Sequence, residues 1–415
     1  MRPADFVVVG AGVMGVNIAL ELKRRHPRAR VRLIEKEPAP GLHASGRNSG
    51  VLHAGFYYTA DSLKARFTRV GNKLMQEYCD LRGLRVNRCG KLVVARDESE
   101  LGGLDELRRR GERNGVELHD LDEREARRIE PRVRTTRKAL FSPTTATVDP
   151  KAVMRSFVDD ARALGVELEF SCAYRARRGR DVRTSRADFE CGYLVNAAGL
   201  QADQIARDHG FSEHFRILPF KGLYLYSDEA PGAFRTNIYP VPNLANPFLG
   251  VHFTVTADGH SKIGPTAIPC LWREQYGGVS GFKLGELAPT LWATAGLVLH
   301  AGFDFRALAL EELRKRDRRH LVELAAKLAD GVRVEQYSRW GAPGIRAQLM
   351  DVRKRTLVQD FCLEGDDRSL HVLNAVSPGW TCSIPFSRFV CDQVEVSLQR
   401  SPSASGDPPS LASAG

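Results

Sequence analysis

The stretch Asp5–Glu35, DFVVVGAGVMGVNIALELKRRHPRARVRLIE, decides the fold. DFVVVG is a short apolar strand, GAGVMG a glycine turn, VNIALELKRR a helix with apolar residues at helical spacing, and VRLIE a second strand. This order is a βαβ unit. Its turn, Gly10-Ala11-Gly12-Val13-Met14-Gly15, fits G-x-G-x-x-G, and an acid, Glu35, ends the second strand 20 residues beyond Gly15. Gly10 permits the tight turn, Gly12 lets a pyrophosphate approach the backbone, and Gly15 lets helix and strand pack closely. Free N–H groups at the helix start carry partial positive charge. The expected ligand is an adenine dinucleotide. Glu35 as ribose-binding acid favours hydroxyls over a 2'-phosphate, so FAD or NAD is expected ahead of NADP.

A second stretch, His43–Tyr58, HASGRNSGVLHAGFYY, leaves the unit just after this acid. It is too rich in Gly and Ser for a helix interior and too polar for a core strand. The small residues and donors Ser45, Gly46, Asn48, Ser49 and Gly50 suit a backbone packed against a flat, hydrogen-bonding ring system, which FAD carries and NAD lacks. The alternative is an Ω-loop capped by its own Ser and Asn side chains.

The 415 residues exceed what one compact core supports, so two domains are expected. Eight cysteines lie scattered, with no C-x-x-C pair and no compact His/Cys cluster, which argues against a zinc site or a secreted disulfide framework. The start, MRPADFVVVG, enters a strand without a charged n-region or a long apolar h-region. A cytoplasmic location is expected, with any membrane contact peripheral, because no run approaches about 20 apolar residues. The formal charge is +11, mostly arginine in short runs such as Arg108–Arg110. Acidic residues interleave with them, so solvated faces are expected rather than a specific nucleic-acid surface.

Further along, residues 61–82 read as a helix capped by Asp61, Gly90–Ala95 as a strand, and 98–128 as charged helices. Asp149–Phe170 is a helix, turn and strand, and Gly192–Ala206 a strand entering a helix through Ala198-Gly199. Residues 215–268 are strand-rich and 283–328 helical. The tail 399–415 has no apolar face and is expected to be disordered.

The second stretch resembles the flavin loop of the FAD-dependent L-2-hydroxyglutarate dehydrogenases and oxidases. That family is a branch of the D-amino-acid oxidase and glycerol-3-phosphate dehydrogenase superfamily. Further segments agree in order: VNAAGLQADQIA, LPFKGLYL, IYPVPN, PFLGVHFT, DGHSKIGPTAI, GAPGIRAQ, LVQDF and LHVLNAVSP. The resemblance covers about residues 5–395. It implies an α/β fold, a Rossmann-like FAD-binding domain with an inserted, sheet-based α+β substrate domain. The expected FAD-binding parts are 1–85, 146–213 and 339–398, and the substrate parts 86–145 and 214–338.

The resemblance implies cofactor contacts from Gly10, Gly12, Gly15, Glu35, Lys36, Ser45, Arg47, Asn48, Ser49, Ala198, Gly199, Ser377, Gly379 and Thr381. SPGWTCSIP is expected to aim a helix N-terminus at the flavin, where positive potential stabilises the anionic reduced ring. Oxidising a 2-hydroxy acid needs an anion clamp, a base and a rigidly held ring. Arg346 in GIRAQ is the carboxylate clamp expected from its bidentate fork, and Lys221 in PFKGLY a second cation. His53 and His252 are both candidates for the base.

Two departures widen the substrate class to a 2-hydroxy or 2-amino acid: Lys221 where the family usually has arginine, and Trp380 and Cys382 where it has small residues. Cys382 is expected to be a buried small hydrophobe rather than a covalent flavin tether. The leading expectation is oxidation of L-2-hydroxyglutarate, with oxygen, a quinone or a protein carrier accepting the electrons. Oxidation of an amino acid or N-methyl amine, and a basic binding protein in which the nucleotide is only structural, are the alternatives.

Overall fold

A computed structural model describes residues 1–242, 250–300 and 305–399. The tail from residue 400 onward and the end of IYPVPN at residue 243 lie outside the described residues. The chain divides into two compact units. The first comprises Met1–Gly46, Lys151–Leu218 and Ala347–Gly415, and the second Arg47–Pro150 and Pro219–Arg346. The chain thus leaves the first unit after Gly46, where the sequence reading places the exchange after residue 85; the later exchanges follow Pro150, Leu218 and Arg346, against expected positions of 145, 213 and 338. The early exit has a local cause. The helix Leu63–Leu81 belongs with the short strands Val51–Leu52 and Ala146–Val148, because the buried Asn72 amide donates to the carbonyls of Leu52 at 2.9 Å and Thr144 at 3.1 Å. That helix is capped by Ser62, whose hydroxyl accepts the Ala65 N–H at 3.1 Å, and not by Asp61 as expected. Ser62 sits one residue closer to the first turn, within reach of its N–H groups.

The first unit is built on a largely parallel sheet. Strand Arg2–Val9 pairs in parallel with Val31–Ile34 on one side and Phe189–Asn196 on the other. Glu167–Glu169 extends it beyond Val31–Ile34, and Ser369–Asn374 beyond Asn196. These strands read VVV, VRLI and YLV because a parallel sheet is covered on both faces. Val7, Val9, Ile34, Phe189, Leu194 and Ile205 belong to one buried cluster. The helices Val13–Arg25 and Gly379–Gln399 pack together, with Ser387 Oγ donating to the Met14 carbonyl and Cys391 Sγ to that of Ile18. Both chains advance together between those contacts, so the two helices run parallel.

The second unit contains an eight-stranded sheet. Its order is Arg339–Trp340, Leu225–Tyr226, Ser261–Gly264, His252–Val255, Asn237–Pro240, Lys91–Val94, Lys138–Ser142 and His119–Asp122. Register fixes which side chains share a face, since residues paired across strands point the same way. The pairs Ile238↔Phe253, Ile238↔Leu92, Phe253↔Ile263 and Leu225↔Ile263 form one face. That face is the core: it belongs with Leu321, Val322 and Ala325 of the helix Arg318–Ala326 in one buried cluster. The alternate positions, Lys91, Asn237, Tyr239, His252, Thr254 and Lys262, line the opposite face, and all are buried. Among the described residues, no helix is long and apolar enough to cross a membrane.

Candidate active site

In the first unit the glycine turn lies at the carboxyl ends of the parallel strands, where open α/β sheets bind ligands. Gly10 has φ +102°, and a Cβ there would meet the Ala197 carbonyl oxygen at 2.7 Å and the Ala198 Cα at 3.0 Å. The turns after Val9 and Asn196 therefore abut, which brings Ala198 beside the G-x-G-x-x-G turn. A Cβ on Gly15 would sit 1.9 Å from the Gly10 carbonyl oxygen, so the helix closes on the strand only with glycine here. Gly12 is tight against Ser45, whose hydroxyl accepts the Val13 N–H at 2.9 Å. Ser45 thus braces the start of the helix from the following loop. Glu35 is 9% exposed, and its two oxygens accept the N–H groups of Ala11 at 2.7 Å and Glu37 at 3.0 Å. This fixes the acid against the turn that the dinucleotide reading assigns to it.

The electrostatics of the turn also suit an anion. Neither Val13–Arg25 nor Gly379–Gln399 has an acidic residue in its first turn, and their parallel packing places both N-termini at one end. By contrast, the helix Glu123–Ile129 carries an Asp122 capping box and two acids that neutralise its own N-terminus. Gly379 packs against Met14, Thr381 is buried, and Ser377 is exposed just ahead of the helix. Gly199, at φ +54°, has open space where a Cβ would lie. Cys382 is buried and Trp380 half-buried. The residues present fit FAD: a glycine cradle, a fixed ribose acid and two uncompensated helix N-termini.

The loop residues divide. Lys36 pairs with Glu37 and lies 3.1 Å from His43. Asn48 Oδ1 accepts the Gly50 N–H at 2.8 Å and Ser49 Oγ the Val51 N–H at 3.3 Å, so both side chains shape their own loop. Arg47 donates to the Pro343 carbonyl at 3.2 Å and stacks over the Tyr276 ring at 4.3 Å.

Within the second unit, the buried polar sheet face collects the chemistry. His53 and His252 are both buried, and each feels the other members of one cationic group. Burial holds His53 well below the usual imidazole range, reinforced by Lys91, His252 and Arg346. Burial likewise pulls His252 down to about 3 against its hydrogen bond to Gly250, with Lys91, Lys262 and Arg346 pushing the same way as burial. His252 Nδ1 lies 2.8 Å from the Gly250 carbonyl. A carbonyl only accepts, so Nδ1 carries the proton and Nε2 keeps its lone pair. The His252 ring stacks on Tyr239 with centroids 3.7 Å apart. Burial lowers the Arg346 guanidinium from its ordinary value, with Tyr224, Tyr58 and Glu312 opposing.

The structure therefore brings His53, His252 and Arg346 into one group. Lys221 lies on Phe215–Gly222, the strand that neighbours Gly344–Asp351 with Arg346; it is paired with Ile268 on its other side, and its charge bears on Cys270. Sequence reasoning missed Lys91 and Lys262. The signal was present, since each opens or interrupts an apolar strand, KLVV and SKIG, at a position that alternation places on the face opposite the core.

Comparison with known proteins shows the family and the fold. The family model described as DAO, FAD dependent oxidoreductase, matches residues 5–393. The mitochondrial L-2-hydroxyglutarate dehydrogenase of Nematostella vectensis is 35% identical, covering 94% of this chain and 90% of its own. The L-2-hydroxyglutarate dehydrogenase of Escherichia coli K12 is 32% identical, covering 95% and 94%. Among solved structures, the FAD-bound L-alpha-glycerophosphate oxidase of Mycoplasma pneumoniae superposes with a TM-score of 0.76 at 20% identity, covering 95% of each chain. Glycine oxidase from Geobacillus kaustophilus gives 0.71 at 20% identity, again over 95% of each chain. These two share the fold. With a glycine cradle built for FAD and a family match across nearly its whole length, the chain belongs to the FAD-dependent oxidoreductases of the D-amino-acid oxidase type.

Proposed function

We propose that this enzyme oxidises L-2-hydroxyglutarate to 2-oxoglutarate. The observation that carries the reading is the buried polar sheet face, where a neutral imidazole with a fixed tautomer shares one group with Arg346. The relatives in Nematostella vectensis and Escherichia coli, named for this reaction and similar over nearly the whole chain, support the choice of substrate.

FAD, when bound, supplies the acceptor for the hydride that leaves C2. The chain's own residues do the rest. The turn at Gly10–Gly15, Glu35 and the two helix N-termini hold the dinucleotide. Arg346, half-buried, binds the C1 carboxylate through its planar fork, and the protein around it strengthens that contact because water competes less. The pair His53 and His252 accepts the hydroxyl proton; at His252 the free lone pair is on Nε2, and stacking on Tyr239 fixes the ring plane. Burial keeps both imidazoles neutral before the reaction, at the cost of proton affinity.

The test is anaerobic mixing of the yellow holoenzyme with L-2-hydroxyglutarate, read as bleaching of the flavin band and formation of one equivalent of 2-oxoglutarate. Bleaching only by another hydroxy acid overturns the substrate. Bleaching only by amino acids or N-methyl amines replaces the reaction with amine oxidation.

A further inference from the structure

One member of the polar sheet face has no part in the chemistry above. Lys91 opens the strand Lys91–Val94 and is 0% exposed. Its Nζ lies 5.0 Å from the ring centre of Phe56, 4.8 Å from Tyr57 and 4.6 Å from Tyr239. Among the described residues it has no hydrogen-bond partner, and neither does the buried Tyr57 hydroxyl in the same cage. Lys91 opposes a positive charge on the neutral imidazoles of His53 and His252, as Lys262 does on His252 and Arg346 does on both. Only Cys89 favours its ammonium, and burial draws it down to about 7.

Three ring faces attract a cation, but they leave its N–H donors without a true acceptor. A hydrophobe of equal length would fill the cage without the desolvation cost of a buried charge. Among the described residues no acid bears on Lys91, and a buried ammonium left so placed suits an anion that arrives from outside the chain. We propose that Lys91, with the Tyr57 hydroxyl, is the countercharge for the second carboxylate of a dicarboxylic substrate, Arg346 taking the first. This rests on the reading of the substrate as L-2-hydroxyglutarate, and it moves the second cation from Lys221 to Lys91. Lys91 acts as a positioning residue: in a low-dielectric interior its charge is felt over several ångströms without contact, and Tyr57 offers the hydrogen-bond donor.

The test compares acids of equal chain length and different charge on the FAD-loaded enzyme. Glutarate is doubly charged and unreactive, pentanoate singly charged. Wild type should gain thermal stability with glutarate and not with pentanoate. Lys91→Met should melt at or above wild type without ligand, because a buried charge is gone, and should lose the glutarate shift. Its kcat/KM ratio for L-2-hydroxyglutarate over L-2-hydroxypentanoate should fall roughly 10- to 100-fold. Tyr57→Phe should lower the same ratio less.

A Lys91→Met protein that melts lower yet keeps the glutarate shift would make Lys91 a staple of the cage and overturn the proposal. So would equal losses for both hydroxy acids. If Lys91→Met does not fold, the neutral polar Lys91→Gln carries the same comparison, and failure of both to fold also assigns Lys91 to the core. Wild type that binds glutarate without oxidising L-2-hydroxyglutarate removes the substrate reading alone; wild type that oxidises it with no preference for the second charge removes this inference alone.

Discussion

At the residue scale, the argument turns on how burial changes what a base can do. His252 is stacked, hydrogen-bonded through Nδ1 and held far below ordinary imidazole basicity, so in the proposed reaction it starts neutral. Removing a positioned base costs typically 10²- to 10⁴-fold. His53→Ala and His252→Ala should therefore each slow flavin reduction, and stopped-flow traces should show at least one losing about 10² or more. If both retain the wild-type rate, the oxidised group needs no base, as with a neutral amine. Arg346 tests geometry rather than charge. Arg346→Lys keeps the cation and loses the planar fork, so kcat/KM should stay depressed by roughly 10-fold or more, with Arg346→Met lower still. Full activity in Arg346→Lys would mean that a point charge suffices and the bidentate clamp is wrong.

At the scale of elements, the glycine turn and the sheet face show what could be read from sequence. Gly15→Ala would put a methyl 1.9 Å from the Gly10 carbonyl oxygen, so helix and strand must separate. The purified variant should come without FAD, seen as a lost ratio of visible to ultraviolet absorbance. Gly199→Ala meets nothing but must hold φ +54°, which costs about 1–2 kcal/mol. It should hold flavin better than Gly15→Ala does and melt a few degrees below wild type. If the two variants retain FAD equally, close packing at Gly15 is not what shapes the cradle. The βαβ turn was legible because its requirements are local: spacing, a strand before, a helix after, and an acid 20 residues on. Arg346 and the histidines were named through resemblance, and the structure shows them bearing on one another. Lys91 was not, because its meaning comes from register: only the pairings Asn237↔Lys91 and Tyr239↔Val93 put it on the face of Tyr239 and His252. The helix cap fell on Ser62 instead of Asp61 for a similar reason, since two adjacent polar residues compete and backbone geometry chooses.

At the scale of the whole molecule, the buried bases set how stability follows pH. His53 and His252 in the second unit, and His209 and His371 in the first, are all held below their ordinary value, His209 at about 4 and His252 at about 3, chiefly by burial. An unfolded chain binds protons at these sites near pH 6.5, while the folded protein does not until well below. Each group therefore contributes stability that is complete above about 6.5 and is lost as pH falls toward its folded value, at up to about 1.4 kcal/mol per pH unit. The melting temperature at saturating FAD should drop steadily from pH 7 to pH 5. A basic chain of formal charge +11 gains further self-repulsion as its carboxylates protonate, which acts in the same direction. On the alkaline side, Lys91 and Lys262, drawn down to about 7 and about 8, deprotonate in the folded protein before they do in the unfolded chain. Stability from these two should rise between those values and about 10.4, until the raised tyrosines Tyr57 and Tyr239 reverse it by resisting ionisation less in the unfolded chain. Lys91→Met should flatten part of the rise above pH 7 and leave the acid limb sloping. A melting temperature that is flat or rising on acidification from pH 7 to pH 5 would mean that the histidines reach protons in the folded state, and the neutral imidazole of the proposed mechanism would be lost with that slope.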